Sequence, residues 1–156
     1  MKKNERITAF VQGLDLDPRE GGDGMDAHYT GYFACFNAGQ YYEAHDVLEH
    51  LWLRGCGEEH AFYKGLIQIA GAFVHLRKQY LRPEHPKDGK RLRPAVRLFE
   101  LGERNVAPYG PRHLGLDVAA LLALCRATAG EIIISEFTRN PWHPDRRPQL
   151  TLEAAS

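Results

Sequence analysis

One short segment of the chain concentrates side chains that can bind metals or move protons. The stretch from Tyr41 to Trp52 has the sequence Tyr-Tyr-Glu-Ala-His-Asp-Val-Leu-Glu-His-Leu-Trp. On a helix, His45 and Glu49 lie on the same side, within reach of each other or of one shared ion, because they are four residues apart. Metalloenzymes use such neighbouring positions when one helix supplies two ligands. This segment is therefore the first candidate for a functional site.

The helical period places these side chains at the edge of the buried face. At about 100° per residue, His45 lies about 40° and Glu49 about 80° from Tyr41, while Asp46 lies about 140° away. The face expected to be buried consists of Tyr41, Ala44, Leu48 and Trp52. Neither His-Glu-x-x-His nor His-x-x-Glu-His, two zinc motifs, is present. A structural explanation is therefore also open, in which Glu49 holds a half-buried His45 in place.

A second polar pair lies on the next predicted helix. Gln68 and His75 are seven residues apart and share one side, flanked by small residues that permit a close neighbour or leave a pocket: Ala61, Gly65 and Ala72. A buried polar group without a partner costs about 1–3 kcal/mol. The turn at 55–57 is short, so we expect the preceding helix to supply the partners. The residues predicted to converge are His45, Asp46, Glu49, Gln68 and His75.

Hydrophobic periodicity predicts that these residues sit in an all-α bundle of about five helices with a buried third helix. The predicted helices are one around Tyr32–Phe36, one at Tyr41–Leu53, one at about Glu59–Tyr80, one capped by Asp88 and kinked or restarted at Pro94, and one running from a cap at Asp117 to Asn140. No strand pair is expected.

We predict that the chain has three parts. They are an N-terminal arm at 1–24 with a short helix around Ile7–Leu14, a helical domain at 25–140, and a tail at 141–156 anchored by Trp142.

Composition limits the classes of function. The 156 residues include 20 Lys plus Arg and 20 Asp plus Glu, so the formal charge is zero, which argues against nucleic-acid or membrane-surface binding. No run of about 20 apolar residues predicts a membrane span. The 3 cysteines form no Cys-x-x-Cys pair, so neither a disulfide framework nor a zinc knuckle is expected. We expect a cytoplasmic protein.

Charge is nevertheless unevenly distributed along the chain. Residues 1–76 contain 6 basic and 11 acidic side chains, whereas residues 77–97 contain 8 basic and 2 acidic ones. A basic loop that leads into a helix N-terminus favours anions, and a solvated connection without a ligand is the alternative.

The two polar segments together resemble domain-of-unknown-function family 309. The resemblance is carried by the residues from Phe36 to Trp52, then Phe62 to Ala70, then His75-Leu76-Arg77, with a later Gly89-Lys90-Arg91-Leu92. The family pattern is an aromatic-Asn-x-Gly turn, Glu-Ala-His-Glu-x-x-Glu-x-x-Trp, Gly-Leu-Ile-Gln and a downstream His. This chain departs from it at Asp46, where the pattern usually has Glu. The resemblance implies a small all-helical bundle and supports the choice of site residues, but it supplies no reaction.

Two hypotheses for function follow. The first is a metal- or small-ligand-binding bundle with His45, Glu49 and His75 as ligands of a divalent metal; the further ligand-binding residues are Asp46, Trp52, Gln68 and Arg77. Whether such a site is catalytic stays open, although a metal-bound water would permit hydrolysis. The second hypothesis is a non-enzymatic helical interaction domain, because Gly-x-Tyr-x-Glu-Ala also resembles a helical-repeat hairpin. The chain lacks a 34-residue repeat. A homodimer is compatible with either hypothesis.

Overall fold

Five α-helices make up most of the described part of the chain. The computed structural model describes residues 26–153. The helices are α1 (Ala27–Asn37), α2 (Tyr41–Leu53), α3 (His60–Leu81), α4 (Leu92–Val106) and α5 (Val118–Ile134). They confirm the predicted all-α bundle. The helix predicted around Ile7–Leu14 lies outside the described residues.

The third helix, α3, occupies the centre of the bundle, as predicted. Phe62, Leu66, Ile69 and Leu76 along its length have no exposed surface. α2 packs against one side of α3 and α4 against another. From α1, the buried hydroxyl of Tyr32 donates a hydrogen bond of 2.6 Å to the carbonyl oxygen of Leu66. A helix that is apolar on most sides is stable only when neighbours cover those sides, which is its situation here.

Two glycines allow α3 and α4 to approach unusually closely. A Cβ atom placed on Gly65 would lie 2.9 Å from the carbonyl oxygen of Gly102 and 2.4 Å from Cγ2 of Val106. A Cβ atom on Gly102 would lie 2.9 Å from the carbonyl oxygen of Gly65. Each glycine therefore touches the other helix's backbone. The small residues on this side of α3 do admit a close neighbour, but that neighbour is α4 rather than α2.

The start of α4 differs from the prediction in two ways. Asp88 is not the helix cap, because α4 begins at Leu92 and the preceding Arg91 makes no capping side-chain bond. Asp88 instead accepts hydrogen bonds from the guanidinium groups of Arg82 and Arg91. Pro94 causes no break, since it is the third residue of the helix, where a backbone N–H would have no acceptor within the helix.

The prediction for α5 is correct at its beginning and wrong at its end. The Asp117 side chain accepts a hydrogen bond of 2.9 Å from the amide of Ala120, so it caps the helix. The helix ends at Ile134, six residues before Asn140, and is followed by Glu136 and Phe137 at φ angles of 57° and 62°. These left-handed conformations cannot continue a right-handed helix.

A small antiparallel hairpin was not predicted. Strand β1 (Arg112–His113) pairs with β2 (Leu116–Asp117), and an isolated bridge joins Leu116 to Leu152. Strands of two residues are too short to show the alternation by which a strand is recognised in sequence. The hairpin ties the segment after α4 to the end of the described chain.

The C-terminal segment packs on the bundle through Trp142, as expected. The Trp142 indole is 7% exposed, and its Nε1 donates a hydrogen bond of 2.9 Å to the hydroxyl of Tyr41. Asn37 and Leu150 form two further hydrogen bonds of 2.7 and 2.8 Å. The boundaries of the predicted arm and tail stay a prediction. No helix within 26–153 is long and apolar enough to cross a membrane.

The glycine contact predicts opposite effects for two Gly→Ala substitutions. Gly65→Ala should lower the free energy of unfolding by about 1–3 kcal/mol, because the new methyl group forces α3 and α4 apart. Gly130→Ala on α5 meets nothing within 4 Å and should raise stability by about 0.5–1 kcal/mol through helix propensity. Denaturant unfolding of both variants measures the difference. Equal effects would show that α3 and α4 are not in backbone contact.

Candidate functional site

His45 lies between two carboxylates of its own helix. Its Nδ1 is 3.1 Å from Oδ1 of Asp46, and its Nε2 is 3.6 Å from Oε2 of Glu49. The first distance is a hydrogen bond, and the second is an ion-pair distance that is too long for one. We call His45, Asp46 and Glu49 the α2 acid–histidine group. It combines a proton-exchanging ring with two carboxylates.

The α2 acid–histidine group is half-buried rather than enclosed. The side chains of His45, Asp46 and Glu49 are 30%, 14% and 26% exposed. The exposed Tyr42 ring stacks beside the His45 ring at 6.4 Å. Solvent can therefore reach the group, while its partial burial reduces the screening of its charges.

Trp52, a predicted ligand-binding residue, lies at the C-terminal end of α2 and contacts the start of α3. Its ring lies 4.9 Å from the ring of His60, the first residue of α3. Its indole Nε1 is buried, and no acceptor for it lies within the described residues. Since Trp52 follows Glu49 by three residues, both lie on the same side of α2. A buried indole N–H without an acceptor is costly, and this one is unexplained by the fold.

The polar pair of α3 faces α4. Oε1 of Gln68 accepts a hydrogen bond of 2.7 Å from the amide of Asn105. Nδ1 of His75 is 3.1 Å from Nη1 of Arg91. The structure therefore pairs Gln68 and His75 with Asn105 and Arg91, whereas the sequence analysis expected partners from α2. The short 55–57 turn does make α2 a neighbour of α3, but the small residues beside this pair bring α4 closer.

Arg91 connects His75 to a buried carboxylate. Its Nε and Nη2 donate to Oδ1 of Asp88 at 3.0 and 2.5 Å, and its backbone amide donates to Oε1 of Gln79 at 2.7 Å. Arg82 binds the other Asp88 oxygen at 3.1 Å. Asp88 is 8% exposed, so its charge is compensated by two guanidinium groups rather than by water. These contacts join the loop at 82–91 to the end of α3.

Electrostatics keep His75 neutral and Asp88 ionised. Burial and, to a smaller extent, the nearby charges of Arg91 and Lys78 together lower the pKa of His75 to about 4. A neutral ring leaves Nδ1 free to accept the Arg91 hydrogen bond. The hydrogen bond from Arg91 to Asp88 holds the pKa of that carboxyl below its usual value. Arg91 therefore stabilises the uncharged imidazole and the charged carboxylate together.

The described residues do not support a metal centre. Within residues 26–153, no group of three or more His, Cys, Asp and Glu side chains is arranged to hold a metal ion. The proposed ligands His45 and Glu49 lie together, but His75 faces the guanidinium of Arg91 instead. A positive charge beside the imidazole disfavours a cation at that nitrogen. Arg77, a predicted ligand-binding residue, is exposed, and its charge acts on the buried Tyr41 hydroxyl.

A family comparison covers the segment that carries the α2 acid–histidine group. The family model described as "Domain of unknown function (DUF309)" matches residues 29–83. Residues 29–83 are therefore similar to the DUF309 family. No curated protein and no solved structure matches the chain. The match spans about a third of the sequence and ends before the Gly89–Leu92 stretch. The similarity to DUF309 therefore covers most of α1 to α3 and assigns no reaction.

Sequence reasoning missed three partners of the polar pair, namely Asp88, Arg91 and Asn105. Asp88 and Arg91 are three residues apart, which is the spacing of a local ion pair, and this signal was available. Asn105 had no comparable signal, because it lies 37 residues from Gln68 along the chain.

The low pKa of His75 predicts a specific loss of stability in acid. The unfolded chain takes up a proton near pH 6.5, whereas the folded chain resists it until about pH 4. The unfolded state therefore binds more protons in this window, and stability falls as the pH falls through it. The ring of His75 should titrate with a midpoint of about 4 by NMR.

His75→Gln retains an acceptor for Arg91 but cannot take up a proton. We expect its melting temperature to fall less than that of the wild type between pH 6.5 and 4. His60→Gln, which changes an exposed histidine on the same helix, is the matched control. A His75 midpoint near 6.5, or the same acid sensitivity in His75→Gln and wild type, would contradict this account.

Proposed function

We propose that this protein binds a small cationic ligand, such as an amine, through the α2 acid–histidine group. The observation that carries the proposal is the placement of one imidazole between two half-buried carboxylates, at 3.1 Å from Asp46 and 3.6 Å from Glu49. The proposal leaves the question of catalysis open.

The charge of the group favours a cation. Asp46 and Glu49 each contribute a carboxylate, which accepts hydrogen bonds from a positively charged group. Residues 26–76, the described part of the chain that contains the group, carry 6 acidic and 2 basic side chains. A positively charged ligand is therefore attracted to this part of the chain.

An amine suits the group better than a metal ion does. Metal coordination requires several donors at fixed distances, and no described group of three ligating side chains provides them. An ammonium group has three N–H donors and needs no fixed coordination geometry. It can bind Glu49 and the exposed edge of His45 while Asp46 keeps its hydrogen bond to the ring.

The group also has the composition of a proton-transfer site. A histidine that exchanges protons with a neighbouring carboxylate is the usual general base. Binding is the step that the geometry supports.

The test is an NMR titration of the isotope-labelled full chain with 1,4-diaminobutane and with methylammonium at constant ionic strength. We expect saturable shifts of the α2 amides near His45 and Glu49. Glu49→Gln should weaken binding by about tenfold, because it removes one charge-assisted hydrogen bond. Glu43→Gln, the same charge change at an exposed position of α2, should leave binding unchanged.

A double variant separates binding from folding. His45→Leu with Glu49→Met keeps helix-forming side chains of similar size, so the melting temperature should change by only a few degrees while amine binding is lost. Absence of saturable binding by both amines in the wild type would refute the proposal. Saturable binding of zinc or manganese that requires His45 and Glu49 would instead support the hypothesis of a metal site.

A second candidate function, protein interaction, is favoured by the outer side of α5. Ile134 is 86% exposed and Ile133 is 47% exposed. The stripe beside them contains only small residues at heptad-like spacing, namely Ala120, Ala123, Ala127 and Gly130. Such an apolar helix side is typical of a contact with another chain, including a second copy.

Sedimentation equilibrium tests the interaction hypothesis directly. If α5 forms a homodimer, the wild type should associate and Ile134→Lys should be monomeric with an unchanged melting temperature, because Ile134 buries almost nothing in the single chain. A wild type that stays monomeric at all concentrations would exclude a homodimer through this helix.

A further inference from the structure

A second polar site lies on the other side of α3, at the start of α4. It is a cleft of about 330 Å³ between the end of α3, the beginning of α4 and the residues after α5. Its lining residues are Gln79, Gly89, Lys90, Leu92, Arg93 and Phe137. We call it the α3–α4 cleft. It shares no residue with the α2 acid–histidine group.

The two cations of the cleft, Lys90 and Arg93, differ from the arginines of the neighbouring loop in their ion pairs. Asp88, the nearby buried carboxylate, is already bound by Arg82 and Arg91. Among residues 26–153, no carboxylate lies within ion-pair distance of Lys90 or Arg93. Both cations therefore contribute their full charge to the cleft. This distinguishes them from the paired arginines of the same loop.

Arg93 is held in a position from which it can bind a ligand. Its guanidinium carbon lies 4.2 Å from the centre of the Phe137 ring. Stacking uses the face of the guanidinium group and leaves its N–H groups, which point outward in the plane, free to donate. Gln79 also lines the cleft, and its Oε1 accepts a hydrogen bond of 2.7 Å from the backbone amide of Arg91.

The backbone at the start of α4 adds to the positive electrostatic field of the cleft. α4 is 15 residues long and begins at Leu92, so the first amides of its dipole lie at the cleft. Its N-cap residue, Arg91, supplies no side-chain acceptor to these amides. The principal feature of the cleft is its two cations, which have no carboxylate partner among residues 26–153, and the helix N-terminus strengthens their field.

We propose that the α3–α4 cleft binds a small phosphate-bearing molecule. Lys90 and the N–H groups of Arg93 bind the phosphate oxygens, while Leu92 and Phe137 contact the remainder of the ligand. Phosphate fits this cleft because it carries about two negative charges and three acceptor oxygens, which match the two cations. The volume is at the lower end of the range for small-molecule pockets, so the ligand is small.

The experiment is an NMR titration of the full chain, with inorganic phosphate in one arm and glycerol 3-phosphate in the other. Ionic strength is held constant with sodium chloride. We expect saturable shifts of the amides from 89 to 93 in at least one arm. Tighter binding of glycerol 3-phosphate identifies a phosphate ester as the ligand class, and equal or tighter binding of inorganic phosphate identifies free phosphate.

Three variants decide whether the cleft is responsible. Lys90→Gln and Arg93→Gln should each weaken phosphate binding by about tenfold, and Arg93→Lys should weaken it less than Arg93→Gln does. Lys64→Gln makes the same charge change at an exposed position of α3 outside the cleft and should leave binding unchanged. If Arg93→Gln loses stability with its Phe137 contact, the exposed Lys90 still provides the test.

Two results would overturn the proposal. The first is a linear response to both phosphates, without saturation, which would show only general ionic attraction. The second is an equal loss of binding in Lys64→Gln and Lys90→Gln, which would show that total charge rather than the cleft determines binding.

Discussion

The contact between the backbones of α3 and α4 determines where the polar side chains of the bundle can find partners. Neither Gly65 nor Gly102 has room for a Cβ atom, because a Cβ atom on either one would lie only 2.9 Å from the carbonyl oxygen of the other. α4 therefore covers the side of α3 that carries Gln68 and His75. Each of these has a hydrogen-bond partner from α4 or the residue before it, which avoids a cost of about 1–3 kcal/mol for each unmet group.

A consequence of this packing is that acidic and basic groups occupy different sides of α3. The α2 acid–histidine group has carboxylates on both sides of one imidazole, and the α3–α4 cleft has two cations without a carboxylate partner in the described part of the chain. The zero net charge of the whole chain conceals this separation. The DUF309 match contains the acid–histidine group, whereas Lys90 and Arg93 follow its last residue. The two proposed sites therefore lie in different parts of the chain, and an experiment that refutes one proposal does not refute the other.

Much of the fold could be predicted because its determinants are local. Helix α2 has the predicted bounds, and Asp117 caps α5 through a bond to an amide three residues away. The sequence predictions failed where tertiary packing, rather than spacing within one helix, determines which partner a side chain contacts. Asp88 is a reasonable cap by type, yet it is bound by Arg82 and Arg91. His45 and Glu49 were placed together correctly because they share one helix, whereas the partner of His75 depends on which of two neighbouring helices lies closer.

The central claim is that His75 is coupled to Arg91 and independent of His45, and double-mutant cycles measure this directly. The cycles compare the unfolding free energies of the single and double alanine variants of each pair. The account predicts a coupling energy of about 0.5–3 kcal/mol between His75 and Arg91, since the two are in hydrogen-bond contact. It predicts additivity within about 0.5 kcal/mol for His45 and His75. Strong coupling between the two histidines, with none between His75 and Arg91, would contradict the account and restore a shared site between α2 and α3.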